Sequence, residues 1–327
     1  MYNERTFLDL HSTWRQNLAN VFVVAVLVLA LPVAAYAQAT TGAIRGSVVS
    51  QDGSAAANAE IRVTDTRTSI SRSTSTNADG TFNLSGLPIG GPFEINVVAD
   101  DYKTAQVTDV YTNLSEAATF NIVLEEGQIE EIVVTASGDF QVGSLAMGPN
   151  ATFDLDTLQA APAINRNITD VIRADPRIYV DESRGDINAV QCAGKNSRFN
   201  SLTVDGVRMN DSFGLNSNGY PTERMPFSFD AINQVAVELA PFDATYGGFS
   251  ACTINAVTKS GRNDFFGSAF YDYTDDSLRG DSLEGDDIQT GSFDEQRYGF
   301  TIGGPILRDK LFFFAAYEKL DGVNLFD

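Results

Sequence analysis

The chain has 327 residues, and its 43 Asp and Glu outnumber its 22 Lys and Arg, for a formal net charge of −21. That balance excludes a nucleic-acid partner, because phosphate backbones are held by Lys and Arg. It favours solubility and cation binding at the surface.

Met1 to Trp14 is polar, with Arg5 and Arg15 as its nearby bases. Val21 to Ala39 then reads VFVVAVLVLALPVAAYAQA, an apolar run broken by Pro32 and ending in Ala35-Tyr36-Ala37. A basic start, a short apolar core and an A-x-A site predict a secretory signal over 1–37, cleaved between Ala37 and Gln38. A spanning helix would need ~20 apolar residues without a breaker. Two acids and two bases leave with the signal, so the charge stays at −21. Export places Cys192 and Cys252 in an oxidising compartment and predicts a disulfide between them; two free thiols are the alternative. The single histidine, His11, leaves with the signal. The exported chain then has no base for a serine triad and no histidine ligand for zinc. A phosphate-binding GxxxxGK[ST] loop is also missing from the sequence. No cofactor, metal or catalytic residue is expected, and the chain does not read as an enzyme.

Residues 38–124 read as a small β-sandwich. Six short strands alternate: AIRGSVVS, AEIRVTD, SISRSTST, GTFNLSG, FEINVVA and ATFNIVL, with turns at Asp52-Gly53, Asp79-Gly80 and Leu87-Pro88. The set of Gly46, Asp52-Gly53, Ala59 to Val63, Asp79-Gly80-Thr81-Phe82, Leu87-Pro88 and Gly90 resembles the carboxypeptidase regulatory-like domain. Pro92-Phe93 stands where that pattern has a Tyr. The resemblance implies an accessory module, not a protease.

The linker, 125–154, holds one β-prone strip, Ile132-Val133-Val134-Thr135-Ala136, behind Glu130 and Glu131. On these residues alone it is equally an edge strand continuing from Leu124 or a strip that pairs with another protein. Residues 155–260 read as an α+β domain. NRNITDVIRADP puts Ile164, Ile168, Val171 and Ile172 on one helical face, ended by Pro176. Strands RIYVD, FNSLTVDGVRM with an Asp205-Gly206 turn, INQVAVELA and CTINAVTK follow. Between them lies a long loop rich in Asn, Gly, Ser and aromatics. Its Phe213, Asn216, Asn218, Tyr220 and Phe227 are candidate ligand-facing residues, with packing against a surrounding wall as the alternative.

From 261 to 327 the pattern is that of strands from an outer-membrane barrel. DFFGSAFYDYTDD, RYGFTIGG and KLFFFAAYEKL alternate, with aromatics near their ends. The second and third strands are joined by the short GPILRD, the first and second by the long acidic stretch Asp275 to Gln296. A short turn on one side and a long loop on the other is the asymmetry of such barrels. The acidic stretch is expected to be a solvated extracellular loop; Ca²⁺ binding between lipopolysaccharide phosphates is the alternative.

The whole order, together with RFNSLTVDGVRMND, FGLNSNGYP, APFDATYGGFSACTINAVTKSGRNDFFGSAF and GFTIGGPILRDKLFFFAAYE, resembles a TonB-dependent outer-membrane receptor of the Oar-like group. The resemblance implies a mainly β protein: sandwich, then plug, then the first strands of a truncated transmembrane barrel. It makes Glu130 to Ala136 the TonB box, met by the periplasmic domain of TonB through β-augmentation. It implies residence in the outer membrane beside lipopolysaccharide, with sandwich and box in the periplasm. It also implies an unidentified peptide, protein or carbohydrate substrate, taken up or exported. Family barrels have about 22 strands, so the chain is expected to be a fragment. A surface adhesion or structural protein anchored by its barrel is the alternative function.

Overall fold

The computed structural model describes residues 40–127, 132–135, 150–160, 166–181, 189–216, 218–222, 225–239, 247–278, 280, 282–287 and 293–324. The sandwich forms as the alternation dictates. Strands β1 (Gly42–Ser50), β4 (Thr81–Leu87) and β7 (Ala118–Leu124) make one sheet in the order β4-β1-β7. β2 (Glu60–Asp65), β3 (Ile70–Ser75), β5 (Gly90–Val98), β6 (Ala105–Thr112) and β8 (Ile132–Thr135) make the other, in the order β3-β2-β5-β6-β8. Alternate residues meet between the sheets: Ile44, Val48 and Ile122 from one, Ile61, Phe93 and Ile95 from the other, each at most 5% exposed. At ~25 cal/mol per Å² of apolar surface, this burial is the main term holding a domain of this size together.

One of these strands, β6, is not among the six read from sequence. Its inward positions are Ala105 and Val107, then Val110 and Thr112. The phase slips by one residue at Asp109, which has φ 59° and interrupts the pairing with β5. A bulge of this kind places an extra residue in one strand and moves the inward face from odd to even positions. No single period-2 pattern spans the strand.

The second domain begins inside the segment read as linker. β9 (Asn150–Phe153) is the edge of a five-stranded sheet in the order β13-β12-β15-β14-β9. Its partners are β12 (Ser201–Val204), β13 (Val207–Arg208), β14 (Ile232–Leu239) and β15 (Cys252–Thr258). The short helices α1 (Leu155–Ala160) and α2 (Ile168–Ile172) pack on it, and β10 (Ile178–Asp181) pairs with β11 (Ala189–Cys192) beside it. The Asn167 side chain accepts from the Thr169 N–H and so caps α2, whose Ile168, Val171 and Ile172 are buried. Ile164 lies outside the described residues. Asp205 and Gly206, both at positive φ, make the tight turn between β12 and β13. The Asp205 carboxylate also accepts from the Thr258 N–H and hydroxyl at 2.9 and 2.7 Å, pinning the turn to the end of β15.

The last sheet has the order β16-β19-β20, all antiparallel, from β16 (Phe266–Asp275), β19 (Phe293–Leu307) and β20 (Leu311–Asn324). The β19–β20 turn is tighter than GPILRD. β19 runs on through Gly304 to Leu307, and only Arg308 to Lys310 turn. Pro305 is accommodated because the register shifts between Pro305 and Leu307, where its missing N–H leaves no gap in a regular ladder. Tyr271, Tyr298, Phe300, Ile302 and Tyr317 point outward and exposed. On the opposite face Thr301 is buried and Arg297 faces Glu318 at 3.9 Å. That inner face is mixed, since Phe266 stacks on Phe314 there and Arg166 on Phe270; the apolar outer face is what a strand with lipid on one side requires. The ends of the acidic stretch belong to the strands, Asp275 to β16 and 293–296 to β19; in the loop that remains, 276–292, the short strands β17 (Ser282–Leu283) and β18 (Asp286–Asp287) pair with each other.

Contacts join these parts. The Arg166 guanidinium stacks 3.5 Å over the Phe270 ring of β16 and bonds Asp230. Between sandwich and plug, Ile89 and Leu114 share a buried cluster with Ala236 and Val257. Gln234, 2% exposed, crosses the same junction. Its carbonyl accepts from the Leu114 N–H at 2.9 Å, and its amide donates to Asn113 Oδ1 at 3.0 Å. Gln234→Met keeps the volume but strands a buried N–H, which costs ~1–3 kcal/mol. The Leu114 amide is expected to exchange faster with solvent deuterium in that variant while the β1 amides keep their protection.

Candidate functional site

The linker strip lies on an open sheet edge. Ile132–Thr135 forms β8, parallel to β6, with the register Ala105↔Ile132, Gln106↔Val133, Val107↔Val134 and Thr108↔Thr135. The chain is led there from β7. Past Leu124, the Lys103 N–H donates to the Glu125 carbonyl at 2.9 Å, and Lys103 Nζ lies 3.5 Å from the Glu125 carboxylate. Tyr102 and Glu126 form an isolated bridge. Gly127 has φ 141°, and a Cβ there would come within 3.0 Å of the Lys103 side chain, so both conformation and space call for glycine. The strip is therefore an edge strand, though not by continuing β7: β7 belongs to the other sheet, and the chain crosses to the edge of β6. Glu130, Glu131, Ala136, Ala37 and Gln38 lie outside the described residues.

The long plug loop is organised by Asp211. Its carboxylate accepts from the Asn216 N–H at 2.8 Å and the Phe213 N–H at 2.9 Å. The bond from Asn216 does most to hold this carboxyl below the usual Asp range. The five candidate ligand-facing residues divide. Phe213 is 87% exposed, and Leu215, not singled out from sequence, is 82% exposed beside it. Tyr220 is 2% exposed within the plug core, and burial raises its phenol pKa. Asn218 is buried and donates to the Thr222 carbonyl; Asn216 donates to the Tyr220 carbonyl. Phe227 packs against the core. Tyr220 and Asn218 thus build the loop rather than face a ligand: the Tyr220 ring fills the core, and the Asn218 side chain is held by the Thr222 carbonyl and the Tyr220 N–H. In Phe213-Gly214-Leu215, Gly214 at φ 69° turns the chain between the two apolar side chains.

Cys192 in β11 and Cys252 in β15 are disulfide-bonded, 60 residues apart in sequence, and both are fully buried. Among the described residues, those of the acidic stretch after β16 included, no group of three or more His, Cys, Asp or Glu is placed to hold a metal; Asp281 lies outside the described residues.

Family models match this architecture domain by domain. Residues 43–125 match the carboxypeptidase regulatory-like domain, 146–252 the TonB-dependent receptor plug domain, and 257–324 an outer-membrane β-barrel domain. The chain belongs to the TonB-dependent outer-membrane receptors, and its place is the outer membrane. A curated relative is the TonB-dependent transporter Oar of Myxococcus xanthus, 29% identical over 296 residues; the match covers 87% of this chain and 27% of that protein. The chain thus spans about a quarter of the length of the relative it matches. Two solved structures are similar to part of the chain. The outer-membrane transporter YddB of Escherichia coli is 14% identical, covering 53% of this chain and 26% of that one at a TM-score of 0.42. The siderophore receptor PirA of Acinetobacter baumannii is 19% identical, covering 54% and 24% at a TM-score of 0.37.

Two outcomes are expected from the plug. Asp211→Ala should strip protection from the Phe213 and Asn216 amides at neutral pH, read by hydrogen exchange. In the unchanged chain the same hold is present at neutral pH and lost only as pH falls through the depressed Asp211 pKa. Replacing Cys192 and Cys252 by Ala should lower plug stability by about 4 kcal/mol, since the closed loop is long; the urea midpoint under pulse proteolysis measures it.

Proposed function

We propose that this chain is the N-terminal part of an active transporter whose plug is moved from the periplasm by the inner-membrane TonB system. The observation that carries the reading is a backbone-paired strand, Ile132–Thr135, standing between sandwich and plug in a chain of this family. A strand paired through its main chain can be offered to a second protein's sheet with little demand on side-chain identity. Glu130 to Ala136 serve as the TonB box. Phe213 and Leu215 present apolar surface on the plug loop for a substrate, whose class stays open among peptides, proteins and carbohydrates. The bridged plug and its contacts to β16 make a stopper within a larger barrel.

The test uses the purified periplasmic domain of TonB as probe. Val133→Pro or Val134→Pro removes one N–H and fixes φ, so either should abolish binding to that domain. Val133→Thr keeps the β-branched shape and the donor, and should bind within a few-fold of the unchanged chain. Melting of the sandwich should change little in all three, because β8 is its outermost strand. Normal TonB binding by the proline variants would show that this strip is not the TonB box, and an adhesion protein would then be the better reading.

A further inference from the structure

We propose that the cavity walled by sandwich, plug and barrel sheet is a binding site for a phosphomonoester carried on an aromatic or apolar body. The proposal does not rest on the transporter reading. The site is also separate from the exposed Phe213 and Leu215, since no residue of the 211–222 loop lines the cavity.

The cavity holds about 860 Å³, within the ~300–1,000 Å³ range of small-molecule sites. Arg72 reaches it from the sandwich, Ile232 and Lys259 from the plug, Arg262 from the link into the barrel, and Phe266 and Phe314 from the barrel sheet. Phe266 opens β16 and Phe314 lies near the start of β20, so the cavity stands at the short-turn end of that sheet, away from the acidic loop. The link that carries the two central cations is held down. The Lys259 N–H donates to the Ala231 carbonyl at 2.7 Å. A Cβ at Gly261 would come within 2.3 Å of the Phe313 carbonyl, so the link runs hard against β20.

The charges around the cavity do not cancel. Its Arg67 is met by Asp65 at 2.8 Å, and its Asp230 is taken by Arg166. Among the described residues Arg72, Lys259 and Arg262 have no carboxylate within ion-pair distance. Lys259 is partly buried, and that burial pulls its pKa down against the opposing pull of Asp230. Arg262 Nε is buried without a hydrogen-bond acceptor. A desolvated ammonium and an orphaned guanidinium N–H are both relieved by an anion. A phosphomonoester suits three such cations, with about −1.5 to −2 charge at neutral pH and three acceptor oxygens. The place for its body is beside them. The Arg262 guanidinium lies 4.5 Å over the Phe266 ring, and Phe266 stacks on Phe314 with centroids 6.0 Å apart. A flat apolar group extends that stack while its phosphate meets the cations. A ligand that touches all three parts binds only when they are assembled, so it holds the sandwich on plug and barrel.

The probe is 2-naphthyl phosphate, titrated by calorimetry into the full chain in neutral detergent, with the heat of empty micelles subtracted. Saturable one-to-one binding is expected, at least about tenfold tighter than 2-naphthol, 2-naphthoate or inorganic phosphate, since charged hydrogen bonds and stacking both contribute. Lys259→Gln and Arg262→Gln should each weaken it about tenfold. Arg262→Lys keeps the charge over Phe266 and should bind within a few-fold of the unchanged chain, which separates loss of the site from loss of the fold. Arg62→Gln removes an exposed cation outside the cavity, paired with Glu60, and should change nothing. Bound probe should also slow deuterium exchange at the Asn263 amide, which donates to the Arg67 carbonyl of the sandwich at 2.9 Å. Heat no greater than that of empty micelles, or equal binding by 2-naphthol, overturns the site. So does unchanged binding in both glutamine variants. Equal binding by 2-naphthoate overturns the phosphate assignment. Saturable binding that leaves Asn263 exchange untouched overturns the placement between sandwich and barrel.

Discussion

An open sheet edge carries a row of N–H and C=O groups that must find partners or water, and the three largest sheets of this chain each meet that demand differently. In the sandwich the edge of β6 is covered by β8 over four positions and then spoiled by the Asp109 bulge. In the plug the edges are short: β13 has two residues and β9 four. In the barrel sheet the edges are long, 10 residues in β16 and 14 in β20, on either side of the central β19. Long regular edges belong where further strands of a barrel meet them, short or bulged ones where the protein faces water. The placement of the linker strip follows from the same demand.

The junctions follow a second pattern, in which single polar side chains serve more than one domain. Gln234 reaches from the plug sheet to the 113–114 turn of the sandwich. Asn263 does the same where three parts meet. Its N–H donates to the Arg67 carbonyl of the sandwich, and its side chain exchanges hydrogen bonds with Asp309 in the β19–β20 turn. The Gln234 bonds lie in dry surroundings, where an unmade partner is expensive, so they fix orientation more strongly than their net energies suggest; those of Asn263 to Asp309 are exposed.

Much of this was legible in the residues. Asp-Gly turns and period-2 alternation located most of the sandwich, and the outward aromatics of Tyr271, Tyr298 and Phe300 located the barrel strands. The misreadings share a cause: each depends on a partner far away in sequence. β6 was hidden because its inward face changes phase at Asp109, a slip visible only against β5. β9 is four residues, too short for any period, and exists as a strand because β14 offers it an edge. Tyr220 sits among Asn, Gly and Ser, the company of a solvated loop, yet its ring fills the core beside Ile172 and Leu202. The domain order was readable from motifs in a way that these pairings were not.

The bridge between Cys192 and Cys252 has a mechanical consequence. Tension applied at Ile132–Thr135 reaches the plug from its N-terminal side, in chain order. β9 is first in line, an edge strand held to β14 by four register pairs, followed by two helices of six and five residues. These can peel away one after another. At Cys192 the load passes through a covalent bond into β15, which lies inside the sheet between β12 and β14. From there the chain is loaded in two directions at once, and peeling by single strands stops. Under such a load the disulfide would act as a length stop. Under a pull from that side, on the order of 200 Å of extended chain could unravel ahead of the bridge, while the covalent link would keep the rest of the plug sheet together.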